Sequence, residues 1–316
     1  MADEKIRTEW KSEKPVPDED FLKKEFEAEV ATLSSALAKG REHSQRLHGS
    51  REHLIKASGL NDGQIKKLAD DAKSEAKKAM DVVERELAKP AVDIEALHQQ
   101  DLALVKQNAE QAGTSGNPSW SGLITTPDNG GSWSSVNGEA EEAPSSAWST
   151  VTEKIDPRSQ AYGEGWFDGD HSTIHAYLTF TFRPPSWGSL RVYAAPRFHG
   201  YYQLYSNDEW YNSEYARAEL DSWIQLHQSF WRPRGYARRF TMGGDELHPT
   251  RYGRIDTIYG HNYYTSVGAT DQVTIRVGAR LHSYARAGGS LSRLNFQSGD
   301  ANFINIPYVY WSLHHS

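Results

Sequence analysis

The side chains with the clearest capacity for chemistry are His171 and His175, preceded by Asp168 and Asp170. Two imidazoles four residues apart share a metal ion when they sit on a helix. The surrounding alternation predicts a strand instead, where four residues at about 3.3 Å each hold the rings roughly 13 Å apart, too far for one ion. The turn formed by Asp168, Gly169 and Asp170 offers oxygen ligands to calcium, so Asp168 and Asp170 are the metal candidates, although the glutamate that closes a helix-loop-helix calcium loop is missing. A second polar loop, residues 243–249, holds an acid, Glu246, and a base, His248.

Neither a nucleophile elbow, nor a phosphate-binding glycine loop followed by lysine, nor a zinc-protease histidine pair occurs. The sequence therefore disfavours an enzyme and assigns no cofactor. A hydrolase built around Asp168, Asp170, Glu246 and His248 is the second alternative reading.

Aromatic and basic residues supply the more informative pattern. Tyr201, Tyr202, Tyr205, Trp210, Tyr211 and Tyr215 crowd one stretch. Phe230, Trp231, Arg232, Arg234, Tyr236, Arg238 and Arg239 crowd a second, and Tyr259, His261, Tyr263 and Tyr264 a third. Rings of this kind on strands or loops suit interfaces and sugar-stacking platforms, and arginine among them adds planar hydrogen bonding and cation–π contact. The ligand-binding candidates are Tyr201, Tyr202, Tyr205, Trp210, Tyr211, Trp231, Arg232, Arg234, Tyr263 and Tyr264. Three tryptophans in small polar surroundings, Trp120, Trp133 and Trp148, each call for a pocket, either on this protein's own sandwich or on a partner.

The elements that must position these groups fall into unlike parts. Residues 1–17 read as disordered and residues 18–112 as helical, with Asp18 a natural N-cap and Leu22, Phe26, Val30, Leu33 and Leu37 at spacings of three or four. Gly40 or Gly49 predicts a kink. A second helix starts near Asn61, Asp62 and Gly63, carries Ile65, Leu68, Ala72, Ala76, Met80, Val83 and Leu87, and stops at Pro90; a third begins near Asp93 with Leu97, Leu104 and Val105. Narrow apolar stripes opposite faces dense in Lys and Glu predict a helical hairpin or coiled coil.

Residues 113–149, rich in Gly, Ser, Asn and Thr, read as a flexible linker. Residues 150–316 read as β throughout. Ile174, Ala176, Leu178, Phe180 and Phe182 alternate with polar neighbours; so do Ala216, Ala218, Leu220, Ile224, Leu226 and Phe230, and Val273, Ile275, Val277, Ala279 and Leu281. The expected fold is α+β and multidomain, ending in an antiparallel, jelly-roll-like β-sandwich, with a barrel as the alternative.

Composition bounds the rest. The 316 residues contain no cysteine, which excludes disulfides, thiolate metal sites and cysteine nucleophiles. A net charge of −7 argues against nucleic acid as a partner. No apolar run reaches membrane-spanning length and no secretory signal is visible at Met1, so synthesis in the cytoplasm is expected, with unconventional export or incorporation into a virion or appendage left open. Lys154 is the last lysine, and an arginine-only basic set beyond it suits an extensive assembly surface. The leading reading is a non-enzymatic binding or assembly protein, a homo-oligomer through a helical stalk, with an aromatic sandwich head that takes a glycan or a protein. The first alternative is a glycan-binding or toxin-like protein acting at membranes.

Overall fold

The computed structural model describes residues 56–88, 120–137, 147–150, 152–163, 169–206, 214–245, 247, 250–297 and 302–315, together with scattered positions between 20 and 35 and between 96 and 107. The readings that fall on residues 1–18, on Phe26, Val30, Leu33 and Leu37, on Gly40 and Gly49, on Pro90, Asp93, Leu97 and Val105, and on Asp168, Trp210, Tyr211, Glu246 and His248 lie outside the described residues.

The described strands form three antiparallel sheets. A five-stranded sheet runs β10 (Gly235–Gly244), β9 (Tyr215–His227), β13 (Val273–Arg286), β6 (Gly169–Phe182) and β2 (Asn129–Asn137). A four-stranded sheet runs β1 (Trp120–Ile124), β16 (Val309–His314), β7 (Gly188–Ala194) and β12 (His261–Val267). The third runs β3 (Ala147–Ser149), β4 (Lys154–Asp156), β15 (Phe303–Asn305), β8 (Arg197–Tyr205), β14 (Leu291–Asn295) and β5 (Arg158–Tyr162), with β11 (Arg251–Ile258) also paired to β8.

Strict alternation on the long strands explains the layering. Ile174, Ala176, Leu178 and Phe180 of β6 and Val273, Ile275, Val277, Ala279 and Leu281 of β13 join one buried cluster. Leu190, Val192, Val309 and Leu313 of the four-stranded sheet and Phe198, Leu204, Leu294 and Ile304 of the third belong to the same cluster. At 14 residues each, β6 and β13 extend about 46 Å, long enough to back both of the other sheets. The result is a β-sandwich with one broad sheet on one side and two on the other.

The tract expected as a linker needs correction. It supplies β1, β2 and β3, and β2 pairs along nine residues of β6, from Asn129 opposite Thr179 to Asn137 opposite His171. Gly and Ser dominate β2 because large side chains on β6 lie against it: a Cβ at Gly131 would stand 2.4 Å from the Tyr177 hydroxyl. Composition alone mimics a linker where the neighbouring strand provides the bulk.

The helix α1 (Asp62–Leu87) begins where Asn61, Asp62 and Gly63 place it. Asn61 and Gln64 form a reciprocal capping box, each side chain accepting from the other's backbone N–H at 2.9 Å. Ile65, Ala76, Met80 and Val83 of its stripe are buried, while Leu68 is exposed. Ala76 and Met80 pack with Tyr162, Tyr205 and Leu291 on the outer face of the third sheet. Gln203 donates to the Met80 carbonyl at 3.1 Å, and Arg254 caps the last turn through the Leu87 carbonyl at 2.9 Å. The helical hairpin or coiled coil is therefore corrected to a helix docked on a sheet: an apolar stripe specifies burial without specifying the partner. Described positions between 20 and 35 are helical as well, and Leu22 is buried against Trp231 at the end of β9. No helix among the described residues is long and apolar enough to cross a membrane.

Candidate functional site

The aromatic candidates of the sequence separate into three places. Tyr201 and Tyr205 lie beneath α1. Asn295 Nδ2 donates to the Tyr201 hydroxyl at 2.8 Å, and that hydroxyl donates to Glu84 at 3.3 Å. Arg293 joins the same carboxylate at 2.6 Å. Burial, with Glu84 nearby, pushes the Tyr201 hydroxyl pKa up. Tyr202 points to the opposite side of β8, with its ring 4.7 Å from Phe240. These rings hold the helix and the core in place.

A second group gathers on the outer face of the five-stranded sheet. Cross-strand register aligns Trp133 of β2 with His175 of β6, and Trp223 of β9 with Tyr236 of β10. Trp133 stacks on His175 with centroids 3.4 Å apart. Arg276 of β13 lies over Tyr177 at 3.8 Å, with Trp231 at 5.0 Å and Trp223 at 5.3 Å. Gly278 makes room here, since a Cβ would stand 2.7 Å from the Trp223 ring. Arg234 sits over Trp223 at 5.1 Å. Two carboxylates from the N-terminal helical residues close this trough. Glu25 pairs with Arg234 at 3.1 Å; Glu29 pairs with Arg234 at 3.0 Å and with Arg280 at 2.7 Å, and stands 3.3 Å from His175 Nε2.

The electrostatics follow from burial. Burial opposes ionisation of Glu29, but the Arg234 and Arg280 guanidinium groups, with the His175 ring beside it, outweigh burial and hold the carboxyl well below its ordinary range. Burial lowers His175 to about 3 against the pull of Glu29, so the imidazole is neutral at pH 7 and the arginines are the charged partners. Burial also lowers Arg276 to about 10 and raises Tyr236 to about 12. Arg280 and Arg238 share Asp221, and Arg238 also meets Glu219 at 2.7 Å, so alternating charges run across the sheet.

The third place is open. On the four-stranded sheet, register aligns Ser312 of β16, Arg191 of β7 and Tyr264 of β12 in one row. Their side chains face away from the core, whose residues on the same strands are Leu190, Val192 and Leu313. Tyr264 is 67 % exposed, the Arg191 guanidinium lies 5.9 Å from its ring, and Arg191 Nε donates to Asn262 at 2.9 Å. Tyr264 and Arg191, with Ser189, Leu190, Thr265, Ser266 and His314, line a cleft of about 510 Å³. Trp187, 55 % exposed, precedes β7 with its ring 5.3 Å from His315. Tyr263, the neighbour of Tyr264, turns the other way and donates its hydroxyl to the Pro233 carbonyl at 3.3 Å. Arg232 lies over exposed Phe230 at 5.4 Å.

The remaining candidates distribute as follows. Trp120 is 48 % exposed on β1, Trp133 is buried in the trough, and Trp148 takes its place on β3 opposite Ile155. Asp170 is buried on β6, and among the described residues no group of three or more His, Asp or Glu is placed to hold a metal. Ser222 Oγ meets His261 Nε2 between the sheets, with Arg239 on both; Ser222 and His261 are buried. Sequence reasoning passed over Arg276, Arg280 and Asp221 as site residues, and Arg191 and His314 altogether. The outward phase of β9 and β13 carried the signal for the first three.

No protein-family model matches the chain, and no curated protein matches it. Among solved structures, an Arthrobacter globiformis T6 isomalto-dextranase complexed with panose is 9 % identical, with a TM-score of 0.21 over 60 % of this chain and 23 % of its own length. TmCBM61 in complex with β-1,4-galactotriose is 12 % identical, with a TM-score of 0.19 over 64 % of this chain and 94 % of its own. A carbohydrate-binding module of the β-sandwich superfamily is 9 % identical, with a TM-score of 0.16 over 60 % and 56 %. The chain thus spans about a quarter of the first of these, and the fold assignment rests on its own strand pairing.

Proposed function

We propose that this chain is a binding protein whose sandwich takes a neutral oligosaccharide on the outer face of the four-stranded sheet. The observation that carries this reading is Tyr264, an exposed ring beside the cation of Arg191 in a cleft whose lining adds Leu190, His314 and the hydroxyl residues Ser189 and Ser266. A pyranose presents an apolar C–H face bordered by hydroxyls, so it asks for a flat ring with donors and acceptors around it. Ser189 and Ser266 supply both, Arg191 supplies donors, and His314 either, according to tautomer. The cleft is rimmed by strands rather than loops, which keeps the ring and its hydrogen-bonding neighbours in fixed register and lowers the ordering cost of binding.

The test is a panel of neutral gluco-, galacto- and manno-oligosaccharides presented to the full chain and to its Tyr264→Ala variant. Binding by the wild-type chain that falls at least about tenfold in the variant supports the reading, since losing one stacked ring costs on the order of 1.4 kcal/mol or more. Binding that is equal in both chains removes the cleft from consideration. Absence of binding to every member removes neutral oligosaccharides.

A further inference from the structure

The outer strand of the four-stranded sheet, β1, pairs with β16 on one side, and among the described residues no strand pairs with its other edge. An open edge presents a row of backbone N–H and C=O groups that another strand can join. Proteins guard such edges with charge, bulges or cover, and this chain does so elsewhere. Arg238 and Arg239 sit at a register shift of β10, β11 carries Arg251, Arg254 and Asp256, and Arg239 reaches the Gly260 carbonyl at the start of β12 at 3.1 Å. On β1 these guards are missing. Residues 111–127 contain no charged side chain, no proline lies within the strand, and its five residues pair with β16 without a shift. Trp120 and Leu123 are 48 % and 44 % exposed there.

The facing pattern of β1 specifies what fits against it. Trp120, Gly122 and Ile124 lie opposite Leu313, Trp311 and Val309 and share the core face, whereas Ser121 and Leu123 lie opposite Ser312 and Tyr310 and face outward. An added strand keeps the core face continuous only when residues of like facing are opposed. A second copy of β1, run antiparallel with Gly122 opposite Gly122, meets this condition along all five residues. Trp120 then stands opposite Ile124 of the other copy, an aromatic and β-branched pair, and Ser121 stands opposite Leu123. No like charges meet in this register. Gly122 lies close on the Trp311 ring, where a Cβ would stand 2.7 Å away, so the strand is flat against its neighbour at the axis.

We propose that two copies of this chain join through β1, antiparallel about a two-fold axis at Gly122, so that their four-stranded sheets merge into one sheet of eight strands. The axis is perpendicular to the sheet, so both outer faces look the same way. The two Tyr264 rings, seven strand spacings apart, are then separated by roughly 34 Å on one continuous surface. Two clefts on one surface engage an arrayed glycan more tightly than either does alone. The dimer does not depend on the saccharide cleft, whose lining comes from β7, β12 and β16, so either can fail alone.

Sedimentation of the full chain across micromolar concentrations tests the dimer. Wild type should reach twice the chain mass, and Leu123→Lys, at an exposed position, should raise the dimer dissociation constant at least about tenfold while circular dichroism stays unchanged. The chain contains no cysteine, so introduced thiols report the register directly. S121C mixed with L123C should form a disulfide-linked dimer under mild oxidation at least about tenfold faster than either variant alone, because only the mixed pair stands directly opposite. A wild-type chain that stays monomeric overturns the proposal. So does a dimer that Leu123→Lys leaves intact, or equal cross-linking in all three preparations.

Discussion

The docking of α1 on the third sheet makes a quantitative prediction through Met80. Its side chain is fully buried with Ala76, Tyr162, Tyr205 and Leu291, and its own carbonyl accepts from Gln203. Met80→Ala removes Cγ, Sδ and Cε, each worth about 0.8 kcal/mol in transfer free energy. Rigid neighbours in the sheet add a cavity term, so the expected loss is about 3–4 kcal/mol. Urea unfolding followed by far-UV circular dichroism and by tryptophan fluorescence measures it, and both probes should shift together because helix and sheet share the contact. A Leu291→Ala partner should couple with it by about 0.5–3 kcal/mol in a double-mutant cycle. A helix projecting as a free stalk would lose no more than about 0.5 kcal/mol and show no coupling. That result would refute the docking.

Further expectations concern the trough. Acid should weaken the fold: the unfolded imidazole of His175 takes a proton near pH 6.5, whereas the folded one resists until about 3. Stability attributable to this residue is full above pH 6.5 and falls by about 2 kcal/mol by pH 5, and His175→Gln should remove that part of the slope in urea titrations at the two pH values. Glu29, facing His175, Arg234, Arg280 and Tyr236, acts in the same direction below the ordinary carboxylate range, because its folded carboxyl is held deprotonated. Gly131→Ala places a Cβ 2.4 Å from the Tyr177 hydroxyl and should cost about 1–3 kcal/mol, measured by thermal unfolding; an unchanged Tm would contradict the close approach of β2 and β6.

Much of the sandwich is legible because period-two alternation admits a single reading when one face is apolar. Ile174 to Phe180 and Val273 to Leu281 face the core as their phase requires, and the same phase sends His175, Tyr177, Arg276 and Arg280 outward. What an outward face then meets is not written in the strand. Tyr201 and Tyr205 have the alternation of exposed rings, yet α1 covers them. Phe230 continues the numerical phase of β9, but the strand ends at His227 and Phe230 is 58 % exposed. In β2 the signal is inverted, since Gly131 and the serines are small to admit Tyr177 and its neighbours, so a strand reads as a linker. The ion pairs of Glu25 and Glu29 join residues about 200 positions apart, a pairing that neither spacing nor propensity encodes.

The open face of the four-stranded sheet is the proposed saccharide site. Hydrogen exchange on the full chain, with and without the member of the neutral oligosaccharide panel that binds it, tests this most directly. The expected result is slowed exchange confined to residues 189–191 of β7, 264–266 of β12 and His314 of β16, with the amides beneath α1 unchanged. Protection elsewhere with none at these positions would contradict it.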